Sequence, residues 1–424
     1  MTNKAKGPSG GIMKARFVSR FALASVIASA TFSAACHNTA QEPTTPGIGE
    51  STAARVQAAQ PTTISPPTMP TAVSPPAMAQ GSVAMPSQAE IQRMLEAART
   101  KYESVTEGKN ADYIPALAKV DSKLFGIAVV LANGEVVETG DTNAPFAIES
   151  ISKVFALSRL IEDKGAADVE KAIGVNATGQ PFNSVLAVEL NQMNKEHPAG
   201  NPLVNAGAIT TVALVPARSG AERWDRIKKT MDAFAGRQLS VDEEVYKSET
   251  ATNTHNRGIA YLLQSYEVIK GDPSEALDIY TRECSVSVTA RDLAMMGATL
   301  ANGGTNPVTH QRIVSPDTAS HVLAMMMTGG LYETTGTWVY RVGVPAKSGV
   351  GGGILAVVPG KYAIAAFSPP LDKAGNSVRA QRAIESIVQD TSGSLFAARP
   401  MGGSPTATKP ASGTTPRKPA TQAP

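Results

Sequence analysis

Two predicted β-hairpins, one near each end of the central part of the chain, constrain its fold more than any other feature. Residues 125–139 contain an apolar run, an Asn-Gly dipeptide typical of a tight turn, and a second run that returns. Residues 353–367 repeat this arrangement around a Pro-Gly dipeptide. Helical signals occur between the two hairpins. The pattern therefore predicts an α+β fold, in which an antiparallel sheet is built from N- and C-terminal strands around a helical insertion.

Two helices carry signals that predict where they begin. In residues 87–104 apolar side chains recur at helical spacing, with Ile91 on the apolar face. Thr289 and Asp292 have the spacing of a capping box, which predicts a helix that begins after Thr289. The glycine pair at 303–304 predicts its end, because glycine favours the backbone conformation that follows a helix.

Composition limits the folded part of the chain to residues 86–398, which we interpret as one catalytic domain. Residues 37–85 are rich in Pro, Ala and Thr and contain almost no charged or aromatic residues, and residues 399–424 resemble them in their prolines. Such segments bury too little apolar surface to offset the entropy of ordering them. A disordered linker and a disordered tail are therefore predicted on either side of the domain.

Residues 1–36 have the pattern of an export signal. Lysines and arginines precede an uncharged apolar stretch over residues 21–35, which is short for a membrane span. The four residues that end at Cys36 resemble a lipoprotein box, which would make Cys36 the site of a lipid anchor, and cleavage after Ala30 is the alternative. We expect a periplasmic or lipid-anchored protein. The remaining alternative is an unprocessed extension of a cytoplasmic one.

Charge and metal-ligating residues exclude several classes of partner. The formal net charge is +3 and 18% of residues are charged, so no strong field indicates a nucleic acid or a membrane surface. The five histidines are scattered and show no metal-site spacing. Two cysteines cannot build a disulfide framework. We therefore predict no metal and no nucleic-acid partner.

Ser150 and Lys153 form a Ser-x-x-Lys motif at the predicted start of a helix. Residues three apart lie on one helix face, so the hydroxyl and the amine can meet. A serine needs a base to become a nucleophile, and a lysine is a base only where burial lowers its pKa. The motif occurs often by chance, and taken alone it is better explained as a solvated first helical turn.

A second motif favours acyl-transfer chemistry. Lys347-Ser348-Gly349 precedes the strand predicted from residue 353. A Ser-x-x-Lys motif followed by Lys-Ser/Thr-Gly on a strand resembles the pair found in penicillin-recognising serine enzymes. The glycine is expected to let a substrate approach the strand edge closely.

Five further segments resemble the bacterial and mitochondrial glutaminases. They are residues 111–115, 201–209, 300–304, 346–354 and 368–371, and the resemblance runs in order from about residue 102 to residue 388. It implies a serine β-lactamase/transpeptidase-like fold. It also implies hydrolysis of L-glutamine to L-glutamate and ammonia through a γ-glutamyl-serine intermediate, no cofactor, and a homodimer or homotetramer.

The resemblance assigns the catalytic steps to particular residues. Ser150 matches the nucleophile and Lys153 its base. Tyr113 or Tyr332 is implied to relay protons between the nucleophile and the leaving ammonia. The backbone N–H groups of Ser150 and Val350 are implied to form the oxyanion hole.

The same resemblance implies a set of residues that bind the substrate. Glu249 suits the α-ammonium group of glutamine. The full set comprises Ser150, Asn205, Glu249, Asn256, Tyr280, Tyr332 and Val350. Without the resemblance, Tyr113 and Tyr280 are better explained as core aromatics, and the asparagines could be turn or cap residues.

The chain departs from the family pattern beside the nucleophile. Glu149 stands where the family usually carries a glutamine, and Thr254 and His255 precede Asn256 where an arginine is common. On a regular helix Glu149 and Lys153 would form an i, i+4 ion pair that holds the lysine protonated. That pair would move the pH optimum to the alkaline side. The alternative is that Glu149 precedes the first full turn and points elsewhere.

Two other functions are consistent with parts of the pattern. A penicillin-binding peptidase or β-lactamase-like hydrolase fits the two motifs and the export signal, but gives no role to Glu249. A non-catalytic amino-acid-binding module fits the substrate-binding set, but has no need for Ser150 and Lys153 together.

Overall fold

The structure is a computed structural model and describes residues 85–397. The predicted signal sequence, the linker up to residue 84, Cys36 and the tail from residue 398 lie outside these residues, so those predictions stand as predictions. No helix in the described range combines the length and the apolar composition that crossing a bilayer requires.

Five strands form one antiparallel sheet in the order β2-β1-β8-β7-β6, and three short strands form a second sheet in the order β3-β5-β4. The strands are β1 (Gly126–Leu131), β2 (Val136–Gly140), β3 (Phe146–Ala147), β4 (Ser240–Val241), β5 (Val286–Val288), β6 (Ala346–Ser348), β7 (Gly353–Val358) and β8 (Tyr362–Phe367). Both predicted hairpins are present, as β1–β2 and β7–β8. Strand β1 pairs with β8 in the middle of the sheet. The predicted sheet of N- and C-terminal strands is therefore confirmed.

Helices occupy most of the chain between β2 and β6. In chain order the helices are α1 (Gln88–Tyr102), α2 (Pro115–Ala118), α3 (Ser152–Lys164), α4 (Ala166–Ile173), α5 (Val185–Met193), α6 (Asn205–Leu214), α7 (Gly220–Ala235), α8 (Glu243–Thr252), α9 (Thr254–Ser265), α10 (Pro273–Cys284), α11 (Ala290–Ala301), α12 (Pro316–Gly329), α13 (Thr335–Arg341) and α14 (Val378–Asp390). The predicted capping box of Thr289 and Asp292 begins α11. The helical insertion is thus confirmed.

The large sheet is buried on both faces because its side chains alternate between two cores. On β1, Ile127 and Val129 belong to a core with α1 and α14, whereas Ala128 and Val130 belong to the larger core with α11. Alternation at a period of two is what a strand between two layers requires. Each fully buried aliphatic side chain contributes about 1.5–3 kcal/mol. The residues of β6, at the edge of this sheet, are therefore held in place by two well-packed cores.

Helix α11 lies against the sheet at a distance that only glycine allows. A Cβ atom added at Gly297 would lie 2.4 Å from Cδ1 of Leu355 and 2.7 Å from Cβ of Ala363. Both neighbours are fully buried, so neither can move without disturbing the core.

We expect Gly297→Ala to destabilise the fold by about 1–3 kcal/mol, because overpacking a dense core costs that much. Urea unfolding of the full chain measures the change. Gly258→Ala on α9 is the matched control, since a Cβ there meets nothing within 4 Å. The control is expected to be neutral or slightly stabilising. An equal loss of stability in both variants would contradict the role of close packing.

The small sheet positions the segment that contains Ser150. Strand β3 ends at Ala147, and the backbone N–H of Ile148 donates a 2.9 Å hydrogen bond to the carbonyl of Val286 on β5. The ring of Phe146 stacks on that of Phe367, with centroids 4.1 Å apart. The chain is therefore fixed on both sheets immediately before the nucleophile motif.

Candidate active site

Ser150 lies in a single 3₁₀ turn, Glu149–Ile151, and helix α3 begins two residues later at Ser152. The prediction that Ser150 starts the helix itself was therefore wrong by two residues. The cause is Glu149, whose backbone has φ +51°, a left-handed conformation that a regular right-handed helix does not contain. The turn presents Ser150 at the surface of the site while Lys153 stays in the first turn of α3.

Gly349 holds strand β6 close to this turn. A Cβ atom at Gly349 would lie 2.6 Å from the backbone carbonyl oxygen of Ile148. Glycine is therefore required at this position by the chain's own backbone. The expected reason was a different one, namely room for a substrate. The two motifs are brought together by this contact.

The Lys153 amine lies 2.6 Å from the Ser150 hydroxyl, with Nζ and Oγ as the two atoms. Both residues are buried, Lys153 almost completely. Burial lowers the pKa of Lys153, whereas the negative charges of Cys284, Glu283, Glu249 and Glu149, where these groups ionise, raise it. The net effect is a lowered pKa, which favours the neutral amine that can accept a proton from Ser150.

A chain of hydrogen bonds leads from Lys153 to three of the predicted substrate-binding residues. The amine also donates to the Tyr280 hydroxyl at 2.8 Å. The Tyr280 hydroxyl donates to Oδ1 of Asn205 at 3.1 Å, and Nδ2 of Asn205 donates to Oδ1 of Asn256 at 2.9 Å. Four helices thus contribute side chains that hold one another in place. Asn205 is oriented by its neighbours before any substrate arrives.

Tyr332 lies on the other side of Ser150, against the Lys-Ser-Gly strand. Its hydroxyl donates to the backbone carbonyl of Ser348 at 3.3 Å, and its backbone has φ +57°. Burial raises its pKa, although hydrogen bonds to Ser150 and Ser348 act in the opposite direction. Nζ of Lys347 lies 4.1 Å from the centroid of the Tyr332 ring and donates to the same carbonyl. Tyr332 is therefore held as a protonated phenol within reach of Ser150.

A cavity of about 200 Å³ opens beside Ser150. Of the predicted site residues, those that line it are Tyr113, Ser150, Asn205, Glu249, Asn256, Tyr280 and Val350. Lys153 and Tyr332 lie behind this lining. Drug-sized ligands occupy pockets of about 300–1,000 Å³, so this one fits a smaller molecule.

Tyr113 and Val350 both line the cavity but differ in their exposure to solvent. Tyr113 is 54% exposed, whereas Val350 is buried. The backbone N–H of Val350 donates to no acceptor among residues 85–397 and is available to an incoming oxygen. A backbone N–H available in the same cavity as Ser150 is one of the donors that an oxyanion hole requires, whereas Tyr113 lies at the exposed edge of that cavity.

Glu149 and Glu249 place two carboxyl groups in the same cavity. They are 2% and 7% exposed, and within the described chain Oε1 of Glu149 and Oε2 of Glu249 have no hydrogen-bond partner. Burial raises the pKa of Glu249 to about 7 and that of Glu149 well above its usual range, with Lys153 opposing both shifts. No ion pair joins Glu149 to Lys153 among these residues. The helical i, i+4 pair does not form because Glu149 lies outside the helix.

Comparison with known proteins relates nearly all of the described residues to one protein family. The family model described as glutaminase matches residues 108–396. The chain belongs to the glutaminase family. A glutaminase of Colwellia psychrerythraea (strain 34H) is 54% identical over 311 residues, which are 73% of this chain and 99% of the relative. A glutaminase of Mycobacterium ulcerans (strain Agy99) is 52% identical over 310 residues, which are 73% and 96%.

Solved glutaminase structures show the same fold. A probable glutaminase, YbaS, superposes with a TM-score of 0.72 at 47% identity, over 74% of this chain and all of that one. The Bacillus subtilis glutaminase YbgJ, in its covalent complex with 5-oxo-L-norleucine, superposes with a TM-score of 0.64 at 30% identity, over 73% and 99%. The expected β-lactamase-like fold is confirmed, and the glutaminase interpretation replaces the penicillin-binding and binding-only alternatives.

Several residues at this glutaminase site were not assigned from the sequence. The Lys-Ser-Gly motif drew attention to Lys347 but did not predict its contact with Tyr332. Phe182 and Asn183 line the cavity, and Nε2 of His255 lies 2.6 Å from the carbonyl oxygen of Asn183. The unusual residues before Asn256 were the one signal that this edge of the cavity differs. Phe182 and Asn183 carried no signal.

One group of side chains in the glutaminase domain has the composition of a metal site. In residues 85–397, ligand atoms of Glu149, Glu249 and Cys284 all lie within 4.8 Å of one another. Metal ligands must be deprotonated. Burial raises the pKa of all three, which opposes metal binding at neutral pH.

A larger cavity lies elsewhere in the domain. It measures about 710 Å³ and is lined in part by Arg99, Lys123 and Arg379, with none of the predicted site residues. We take the smaller cavity as the candidate active site because Ser150 lines it and the Lys153 amine contacts Ser150.

Proposed function

We propose that Ser150 carries out the hydrolysis of L-glutamine to L-glutamate and ammonia that characterises this family, through a γ-glutamyl-serine intermediate. The observation that carries the proposal is the 2.6 Å contact between Nζ of Lys153 and Oγ of Ser150 in a buried site. The covalent complex of the Bacillus subtilis enzyme supports a nucleophile in the family. No metal or organic cofactor enters the proposed reaction.

In the first step Oγ of Ser150 attacks the side-chain amide carbon of glutamine. The neutral Lys153 amine accepts the hydroxyl proton as the bond forms. The negative charge that develops on the amide oxygen is stabilised by the backbone N–H groups of Ser150 and Val350. Because Lys153 is also bonded to Tyr280 and thereby to Asn205, its position does not change when the substrate enters.

In the second half of the reaction the C–N bond breaks and ammonia leaves with a proton. Tyr332 is the proposed donor, because its hydroxyl lies between Ser150 and the Ser348 carbonyl and the proton it gives is replaced from Lys153. Water then attacks the γ-glutamyl ester while the neutral Lys153 amine accepts a proton from it, and this proton passes to Oγ of Ser150 when the ester C–O bond breaks and glutamate is released. The carboxyl side chain of Glu249 and the amides of Asn205 and Asn256 are proposed to hold the amino-acid end of the substrate.

Tyr332 and Tyr113 were both implied as proton relays, and the structure supports Tyr332. We expect Tyr332→Phe to lower kcat about 10- to 100-fold while KM changes less than about threefold, because only a proton-transfer group is removed. Tyr113→Phe is the matched control and is expected to lower kcat less than about threefold, since Tyr113 is at the cavity mouth. Steady-state glutamate release measures both. A larger kcat loss in Tyr113→Phe would reverse the assignment.

The covalent step is tested by trapping. The full chain is treated with 6-diazo-5-oxo-L-norleucine, and the modified peptide is identified by mass spectrometry. We expect a single adduct on Ser150. Ser158, which is buried in α3 and bonded to the Val154 carbonyl, is the internal control. An adduct on any other residue would contradict the proposed intermediate. Rapid glutamine hydrolysis by a chain whose Ser150 does not react with the inhibitor would contradict it too.

We propose further that the chain is exported and becomes either periplasmic or anchored through a lipid on Cys36. The support is the sequence of residues 1–36, with basic residues before an uncharged apolar stretch and a lipoprotein-like box. Mass spectrometry of the mature N-terminus distinguishes an acylated Cys36 from a cleaved or an intact chain. An intact N-terminus in the cytoplasmic fraction would contradict export.

The proposed assembly is a homodimer or a homotetramer, as the family resemblance implies. Light scattering coupled to size-exclusion chromatography of the full chain measures it. A monomer at micromolar concentration would contradict the proposal.

A further inference from the structure

The second carboxyl group in the active-site cavity, that of Glu149, has no role in the mechanism above. Glu149 is the first residue of the 3₁₀ turn that contains Ser150, and Glu249 lies on α8. Both line the cavity, and their carboxyl oxygens lie within 4.8 Å of each other. One oxygen of each is buried without a hydrogen-bond partner in the described part of the chain. Two carboxyl groups thus line one small space, and one oxygen of each lacks a donor.

The charges around the pair cannot satisfy both carboxylates. The titratable groups around it are Lys153 from α3, His255 from α9, Tyr280, Glu283 and Cys284 from α10, and Tyr113 and Tyr332 from the cavity walls. Lys153 is already bonded to Ser150 and Tyr280, and the exposed His255 ring contacts the Asn183 carbonyl at 2.6 Å rather than either carboxyl group. Two adjacent carboxyl groups with one shared and weakened counter-charge do not both ionise, so one proton stays on the pair.

A primary ammonium group is the ligand that fits this arrangement. It carries one positive charge and three N–H donors, which can bond to both carboxyl groups at once. We propose that Glu149 and Glu249 together bind the α-ammonium group of the substrate, and that the pair releases its proton to solvent when glutamine binds. The inference rests on the proposed function, because it places glutamine in this cavity. It makes Glu149 a specificity-determining residue for substrates with a free ammonium group.

The proton balance follows directly. The free pair carries one proton and one negative charge. In the complex it carries two negative charges beside the ammonium cation, and the proton has left. Burial and the neighbouring Glu249 raise the pKa of Glu149, which favours the protonated pair in the empty enzyme, and burial raises the pKa of Glu249 to about 7. At pH 8 a lone Glu249 would be about 90% ionised and would release only about 0.1 proton on binding, whereas the pair would release about one.

The test measures proton release and catalysis separately. Calorimetric titration of the full-chain Ser150→Ala variant with L-glutamine at pH 8, in two buffers of different ionisation enthalpy and with EDTA, counts the protons released. We expect about one per site, falling to about 0.1 in Ser150→Ala/Glu149→Gln. Retention of release in Ser150→Ala/Glu149→Asp, which keeps the carboxyl group, excludes a merely steric effect. Equal release with and without the Glu149 carboxyl group would overturn the inference, as would no release at all.

Steady-state kinetics gives an independent readout in chains with Ser150 intact. Between pH 7.5 and 8.5 the wild-type KM is expected to fall at least about threefold, and that of Glu149→Gln less than about 1.5-fold. Identical slopes would contradict the proton-sharing pair even though both chains hydrolyse glutamine. Failure of the proposed function has a different signature, which is no glutamate release by the wild type at any pH.

Discussion

Ser150→Ala is expected to lower glutamate release from L-glutamine by at least about a thousandfold, with little change in the stability of the chain. The hydroxyl is the atom that forms the covalent bond in the proposed reaction, and no neighbouring group can replace it. Cys284 is buried and burial raises its pKa, so it is not an alternative nucleophile. Coupled measurement of glutamate and of ammonia from the full chain checks the loss.

Ser158→Ala is the matched control for this loss. Ser158 is a buried serine of α3, the helix that follows the Ser150 turn, and its hydroxyl donates to the Val154 carbonyl rather than to any cavity residue. We expect its activity within about threefold of the wild type. Because a nucleophile is lost in one variant and only a helix hydrogen bond in the other, a similar loss in both would mean that Ser150 acts through structure. Binding of glutamine by Ser150→Ala in the calorimeter would confirm that its site is intact.

The elements that sequence predicts well are those fixed by local interactions. The hairpin turns, the capping box at Thr289 and the helix over residues 87–104 depend on residues within a few positions of one another. The Ser150–Lys153 contact belongs to the same class, because a separation of three residues brings the two groups together even in a turn that is not a regular helix. These signals were enough to predict the sheet and the Ser150–Lys153 contact, whereas the role of Ser150 as nucleophile needed the second motif and the family resemblance.

The elements that sequence does not predict depend on partners far along the chain. Strands β3 and β4 contain two residues each, too few to show a pattern, and they exist because β5 pairs with both. The bond from Lys153 to Tyr280 joins residues 127 positions apart. Tyr280 and Asn205 needed the family resemblance to be noticed, since each has an ordinary explanation as a core or cap residue.

The left-handed backbone of Glu149 decides between the two expectations for this residue. One of them was a helical ion pair with Lys153, which would have raised the pKa of Lys153. The other was that Glu149 precedes the first full helical turn. The left-handed backbone of Glu149 costs of order 1–3 kcal/mol and persists only where the surrounding structure enforces it. Gly349 and strand β5, which enclose the turn, supply that enforcement. The predicted alkaline pH optimum therefore loses its basis in that pair.

Lys153→Met is expected to lower kcat by about 100- to 10,000-fold, because the base that accepts the Ser150 proton is removed. In the wild type, kcat should rise with pH while the amine loses its proton and level off above the pKa of Lys153. Since burial lowers that pKa, the plateau begins below the usual range of a lysine. The remaining activity of Lys153→Met should lack this rise. Glutamate release across pH 5–9 measures both profiles.

Lys164→Met is the control, because Lys164 is an exposed lysine at the end of the same helix. It is expected to keep the wild-type kcat within about twofold. A structural role of Lys153 is separated from a chemical one by Lys153→Ala with small primary amines added to the assay. If the amine is the base, ethylamine restores part of kcat with a pH dependence that follows its own pKa. A loss that no amine relieves, together with an unchanged pH profile in Lys153→Met, would show that Lys153 only holds Tyr280 and Asn205 in place.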